Sequence, residues 1–124
     1  MRKKSFIKLI GIPLSHLAIV THAFANPNIG QVVAGGAEFQ QVGSELQIIT
    51  NSDRTIIDFQ DFSIAAGDIT NFIQPNANSA TLNRVVGNLP TEIIGNLVSN
   101  GQVAIINPNG VLICLLYTSD AADE

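Results

Sequence analysis

Apolar and β-branched residues recur along this chain in short runs closed by Gly, Asn, Pro or Asp, and helical periodicity is weak throughout. Gln31-Val32-Val33-Ala34 stops at Gly35-Gly36, Ala37 to Val42 stops at Gly43, and Glu45 to Thr50 stops at Asn51-Ser52-Asp53. Thr55 to Phe59 followed by Phe62-Ser63-Ile64 reads as a further hairpin-like piece. Asp68 to Ile73 ends at Gln74-Pro75-Asn76, and Ala80 to Val86 ends at Gly87. Strands this short, punctuated this regularly, predict an all-β fold. Pro90-Thr91-Glu92-Ile93-Ile94 has room for one helical turn capped by Thr91. No domain boundary is visible between Asn26 and Ile113.

The clearest turn is Asn107-Pro108-Asn109-Gly110, set between Val103-Ala104-Ile105-Ile106 and Val111-Leu112-Ile113. Asn at the first position accepts hydrogen bonds from the backbone beyond it, and Pro presets φ at the second. Asn and Gly then tolerate the bridge and left-handed conformations that follow. The tetrapeptide is a self-sufficient turn, and sterics alone could select it. Around it the texture becomes repetitive: Gly87-Asn88-Leu89 returns as Gly95-Asn96-Leu97, and Asn100-Gly101 is echoed by Asn109-Gly110. The pattern allows each Leu to point inward while its Asn caps a corner. A solenoid and a β-sandwich both fit this punctuation.

The two ends read differently. Arg2, Lys3 and Lys4 precede a short apolar stretch from Leu9 to Val20, and Ala23-Phe24-Ala25 supplies the small-x-small pattern of a signal peptidase site. Residues 1–25 are therefore expected to be a secretory signal cleaved before Asn26. The apolar stretch carries Pro13 and His16 and falls short of the ~20 residues that span a bilayer. At the other end, Cys114 to Glu124 lacks both the Asn/Gly turns and the β-branched runs, and it holds the single Cys and single Tyr of the chain. This string resembles the translation of a transposon-based sequencing adaptor, so residues 114–124 are expected to be an artefact following a C-terminally truncated domain, 26–113. On that reading the last strands expose an unpaired edge, which is an aggregation hazard.

Composition narrows the chemistry. His16 and His22 both lie before Asn26, so the stretch to Ile113 has no histidine, and it also has no Lys, Cys, Trp or Tyr. The usual general base, metal ligand and thiol nucleophile are missing there. Arg54 and Arg84 stand against Glu38, Glu45, Asp53, Asp58, Asp61, Asp68 and Glu92, a net charge of −5. A nucleic-acid surface needs the opposite sign. The whole chain is 46% hydrophobic and only 13% charged, which leaves polar duty to Asn, Gln, Ser and Thr and suits strands stacked in ladders. Without disulfides, burial and backbone ladders must hold the exported fold.

The ordered segments Gly30 to Gly35, Ile57-Asp58-Phe59-Gln60-Asp61-Phe62-Ser63-Ile64, Asn71 to Pro75, Asn83-Arg84-Val85-Val86-Gly87, Ile94-Gly95-Asn96-Leu97, Asn100 to Val103 and Asn107-Pro108-Asn109-Gly110-Val111 resemble the N-terminal secretion domain of two-partner secretion exoproteins (TpsA). These are the filamentous-haemagglutinin-like adhesins of Gram-negative bacteria. The resemblance covers nearly all of Asn26 to Ile113. It implies a right-handed parallel β-helix with N-terminal capping strands, exported by the Sec machinery and recognised by the POTRA domains of an outer-membrane TpsB transporter. It implies a secretion and folding-nucleation role at the cell surface or in the medium, with host-cell or surface ligands bound by a downstream passenger. No enzyme activity, cofactor or metal follows from it. Asn107, Pro108, Asn109 and Gly110 carry over as the family-typical turn, either a structural corner or a transporter recognition site. An Asn-Pro-Asn-Leu motif found earlier in some members is absent here, which puts a two-motif recognition scheme in doubt.

Two other functions compete. Secreted β-helices include polysaccharide lyases and hydrolases, and Asp53, Asp58, Asp61 and Asp68 are the only acids here that could serve one. Carboxylates in such sequences are more often turn caps or solvated loop groups, and none of these has a nearby His or Lys in sequence to tune it. A calcium site would draw on the same residues, but no loop has calcium-site spacing.

Overall fold

A computed structural model describes residues 26–114; the expected signal peptide and most of the expected adaptor-derived tail lie outside the described residues. Ten strands and no helix make up the described part: β1 (Asn28–Ala34), β2 (Ala37–Val42), β3 (Glu45–Thr50), β4 (Arg54–Asp61), β5 (Ile69–Ile73), β6 (Ala80–Val85), β7 (Thr91–Ile93), β8 (Asn96–Ser99), β9 (Gln102–Ile106) and β10 (Val111–Ile113). The expected all-β class holds.

The sheets are mixed. β3, β5 and β8 form one parallel ladder, β4, β6 and β9 a second, and β7 and β10 a third. Ile64 joins the third through a parallel bridge to Ile93. The chain thus runs through the three ladders in turn and starts again, three laps in all. β1 and β2 depart from this, pairing antiparallel with the outer edges of β4 and β3 respectively.

Alternation decides which side chains go inside. In β4 the buried residues are Thr55, Ile57 and Phe59, and their neighbours turn outward. In-register stacking then sets like positions above one another, Ile57 opposite Asn83 and Asn83 opposite Ile105, or Phe59 opposite Val85. At the centre Phe59 meets Phe62 edge-on, with centroids 4.9 Å apart and planes at 88°. Phe62 stacks at 6.4 Å on Phe72, and Ile48, Ile57 and Ile64 complete a core with no exposure at these positions.

Three expectations are corrected. Thr91–Ile93 is a strand rather than a helical turn, because Ile64 and β10 flank it and supply ladder partners. Thr55 to Ile64 is no hairpin, since β4 pairs with β1 and β6. The two Gly-Asn-Leu copies are not structural equivalents: Leu89 is 58% exposed, whereas Leu97 packs against the core from β8.

Polar side chains bind one lap to the next. The buried Gln74 donates from Nε2 to Ser99 Oγ (3.0 Å) and to the Gln102 carbonyl (2.9 Å), and its Oε1 accepts from the Thr81 hydroxyl (3.1 Å). Asn100 mimics a strand neighbour, accepting from the Gln74 N–H at 2.7 Å and donating to the Gln74 carbonyl at 2.8 Å. Losing both bonds in Asn100→Ala is expected to cost about 1 kcal/mol, since water can reach this outer corner. A urea midpoint unchanged from the parent would contradict that assignment.

Candidate functional site

The Asn107-Pro108-Asn109-Gly110 segment turns the chain between β9 and β10. It is a corner, because β9 pairs with β6 and β10 with β7 rather than with each other. Within the corner, Asn107 Oδ1 accepts from the Asn109 N–H at 2.8 Å and from Asn109 Nδ2 at 3.0 Å, and the Gly110 N–H donates to the Asn107 carbonyl at 3.0 Å. Gly110 has φ +110° with open space around it, so glycine is wanted there for its backbone freedom.

The same side chains also reach the corner of the previous lap. Asn107 Nδ2 donates to the Leu89 carbonyl at 3.0 Å and to Thr91 Oγ1 at 2.9 Å, and Asn109 Nδ2 donates to the Gly87 carbonyl at 3.0 Å. The Thr91 N–H closes the contact on the Gly110 carbonyl at 2.9 Å. Thr91, fully buried, is thereby a hydrogen-bond partner of the turn. Sequence reading missed it, and its placement in a supposed helical turn hid the signal. What the corner shows to solvent is Pro108 and Asn109, bordered along the chain by Val86, Leu89, Ile106 and Leu112, each more than half exposed.

The four aspartates are not brought together around a cleft. Asp58 forms a bidentate pair with Arg84 across β4 and β6, with Nε to Oδ1 at 2.7 Å and a second bond at 3.1 Å. The hydrogen bond first and the charge second raise the arginine's pKa further above its ordinary value. Asp53 is an exposed turn residue whose carbonyl accepts from Ala80 N–H at 2.9 Å. Asp68 precedes β5, and its carbonyl accepts from Asn96 N–H at 2.9 Å. Asp61 receives the Ser63 hydroxyl at 3.4 Å. A groove of about 330 Å³ on the β4–β6–β9 sheet is lined by Arg54, Ile56, Ala80, Leu82, Gln102 and Ala104, among others, and holds no carboxylate. Among the described residues no group of three or more His, Cys, Asp or Glu could hold a metal ion.

Comparison with known proteins decides what this corner belongs to. A family profile described as "TPS secretion domain" matches residues 23–114. The chain belongs to the TPS secretion domain family. The chain is 36% identical over 113 residues, 91% of its length, to a heme/hemopexin-binding protein of Haemophilus influenzae, and covers 12% of that protein. A second heme/hemopexin-binding protein of Haemophilus influenzae is 39% identical over 69 residues, 56% of the chain and 7% of that protein. The chain therefore spans a small part of the curated relatives it matches. In structure it is similar to the HMW1 secretion domain from Haemophilus influenzae, with a TM-score of 0.66 and 42% identity over 68% of this chain and 22% of that one. The TPS domain is a secretion module of exoproteins and not an enzyme.

Proposed function

We propose that this TPS domain is the secretion and folding-nucleation module of a large adhesin- or haemagglutinin-like exoprotein. Residues 1–25 direct it through Sec, and an outer-membrane TpsB transporter receives it through POTRA domains and passes it to the cell surface or medium. Its architecture is a right-handed parallel β-helix capped by the antiparallel strands β1 and β2; the three parallel ladders visited in repeating order support that reading. Ligand binding resides in a downstream passenger, and the names of the relatives favour haem or hemopexin as its target.

The observation that carries the proposal is the Asn107-Pro108-Asn109-Gly110 corner, complete in its own hydrogen bonds, anchored to the preceding lap and bordered by exposed apolar side chains. Anchored in this way, the turn itself acts as a structural corner, and the apolar border offers POTRA domains a docking surface. Asn107→Ala is expected to lower stability by about 2 kcal/mol, because four hydrogen bonds go with it, and secretion should fall in step. Leu89→Ser, at an already exposed position, should keep the melting temperature and weaken transporter binding. Pull-down on purified POTRA domains, read beside thermal melts of each variant, is the test. An Asn107→Ala domain that melts like the parent yet no longer binds would make the turn itself the recognition site, and a Leu89→Ser domain that binds normally would remove the border from the proposal.

A further inference from the structure

We propose that signal removal creates a structural group as well as freeing the chain: the α-ammonium of Asn26, captured by a pocket carrying Asp61 and Glu92. This rests on cleavage before Asn26. A signal peptidase hydrolysing the Ala25–Asn26 bond consumes one water, leaves a carboxylate on Ala25 and an amine on Asn26, and the amine takes up a proton below its ordinary pKa of about 7.7–8.0.

The geometry places residue 26 at that pocket in advance. A pocket of about 140 Å³ is lined by Asn26 together with Asp61, Ser63, Ile64, Glu92 and Ile94, among others. Asn26 is held there by its own side chain, whose Oδ1 accepts from the buried Thr70 hydroxyl at 2.9 Å and whose Nδ2 donates to the Ser44 carbonyl at 3.3 Å. Pro27 behind it is buried. The position of residue 26 is thus fixed by contacts that do not involve the leader.

The pocket lacks a cation. Ser63 Oγ links its two acids, donating to Asp61 and accepting from the Glu92 N–H at 3.0 Å. Among the described residues the only cationic side chains are Arg54 and Arg84. Arg84 is paired with Asp58, and Arg54 donates to the carbonyls of Asp53 and Asn78. The remaining charges on elements packed near Asn26 are also negative: Glu45, which holds Asn71 and Gln47, and Asp68 ahead of β5. An ammonium is the one charge of the right sign that processing can deliver. Its contribution has a definite pH window. Carboxylates raise the amine's folded pKa above its unfolded value, so the stabilisation is complete below about pH 7 and is lost as pH rises through the folded pKa.

The test uses the leader-free chain from Asn26 to Glu124. It contains no lysine, so acetylation of amines modifies the α-amine alone. Acetylation is expected to lower Tm by about 3 °C at pH 6.5, the scale of a partly exposed ion pair, and by nothing at pH 10. Asp61→Asn with Glu92→Gln should lower the Tm of the free form and abolish its response to acetylation. Equal melting of the free and acetylated chains at pH 6.5 overturns the capture, as does an acetylation effect that survives in the double variant. The intact mass of the exported protein tests the processing step separately: a first residue other than Asn26 overturns that half whatever the melts show.

Discussion

Phe62→Ala is expected to remove about half of the stability of this domain. Phe62 is fully buried between Phe59 and Phe72, edge-on to the first at 4.9 Å and stacked at 6.4 Å on the second. Truncating such a ring forfeits its transfer free energy and leaves a cavity, together about 3–5 kcal/mol. A domain of this size has roughly 5–12 kcal/mol in total. Urea unfolding followed by circular dichroism should show the midpoint falling by about half, with Phe62→Leu losing far less. A midpoint within error of the parent would mean that the ring is not packed as described.

Gly95→Ala should be nearly as damaging, for a different reason. The Gly95 N–H donates to the Ile64 carbonyl at 2.9 Å, and a Cβ there would overlap the carbonyl oxygens of Ala65 and Asp68 and come 2.7 Å from Ile64 Cγ2. Backbone cannot yield as a flexible side chain can, so two laps must separate. A cost of about 3 kcal/mol or more follows, a fall of at least ~12 °C in Tm. Gly110→Ala is the contrasting variant: nothing lies within 4 Å of its added carbon, and only the φ of +110° is strained. It should cost about 1–2 kcal/mol. Differential scanning calorimetry on the pair separates steric from conformational demand, and equal melting of the two would deny the close approach at Gly95.

Much of the strand inventory was legible because local chemistry and tertiary context agree. Ala37–Val42, Glu45–Thr50 and Val111–Ile113 begin and end where the turn residues say they should. Pairing was not legible, because parallel ladders join residues twenty or more positions apart and leave no local trace. That is why Thr91–Ile93 reads as a helical turn in sequence: its propensity is equivocal, and its strand character comes from Ile64 on one side and β10 on the other. The repeated Gly-Asn-Leu misled for a similar reason, since one copy lies between β6 and β7 and the other enters β8. At the corner, Asn107 announced the turn by type, whereas its bonds to Leu89 and Thr91 depend on lap register. Membership of the secretion-domain family came from resemblance, which carries information that periodicity lacks.

The spacing of those lap-to-lap bonds has a kinetic consequence. Gln74 meets Gln102 across 28 residues, Asn71 meets Glu45 across 26, and Asn83 meets Ala104 across 21. Loop-closure entropy varies only as the logarithm of such lengths, so every lap closes a loop of nearly the same difficulty upon a surface already formed. Only the first lap, with β1 and β2 folded back on it, must organise without a template. The laps can therefore form segment by segment, each settled lap templating the next.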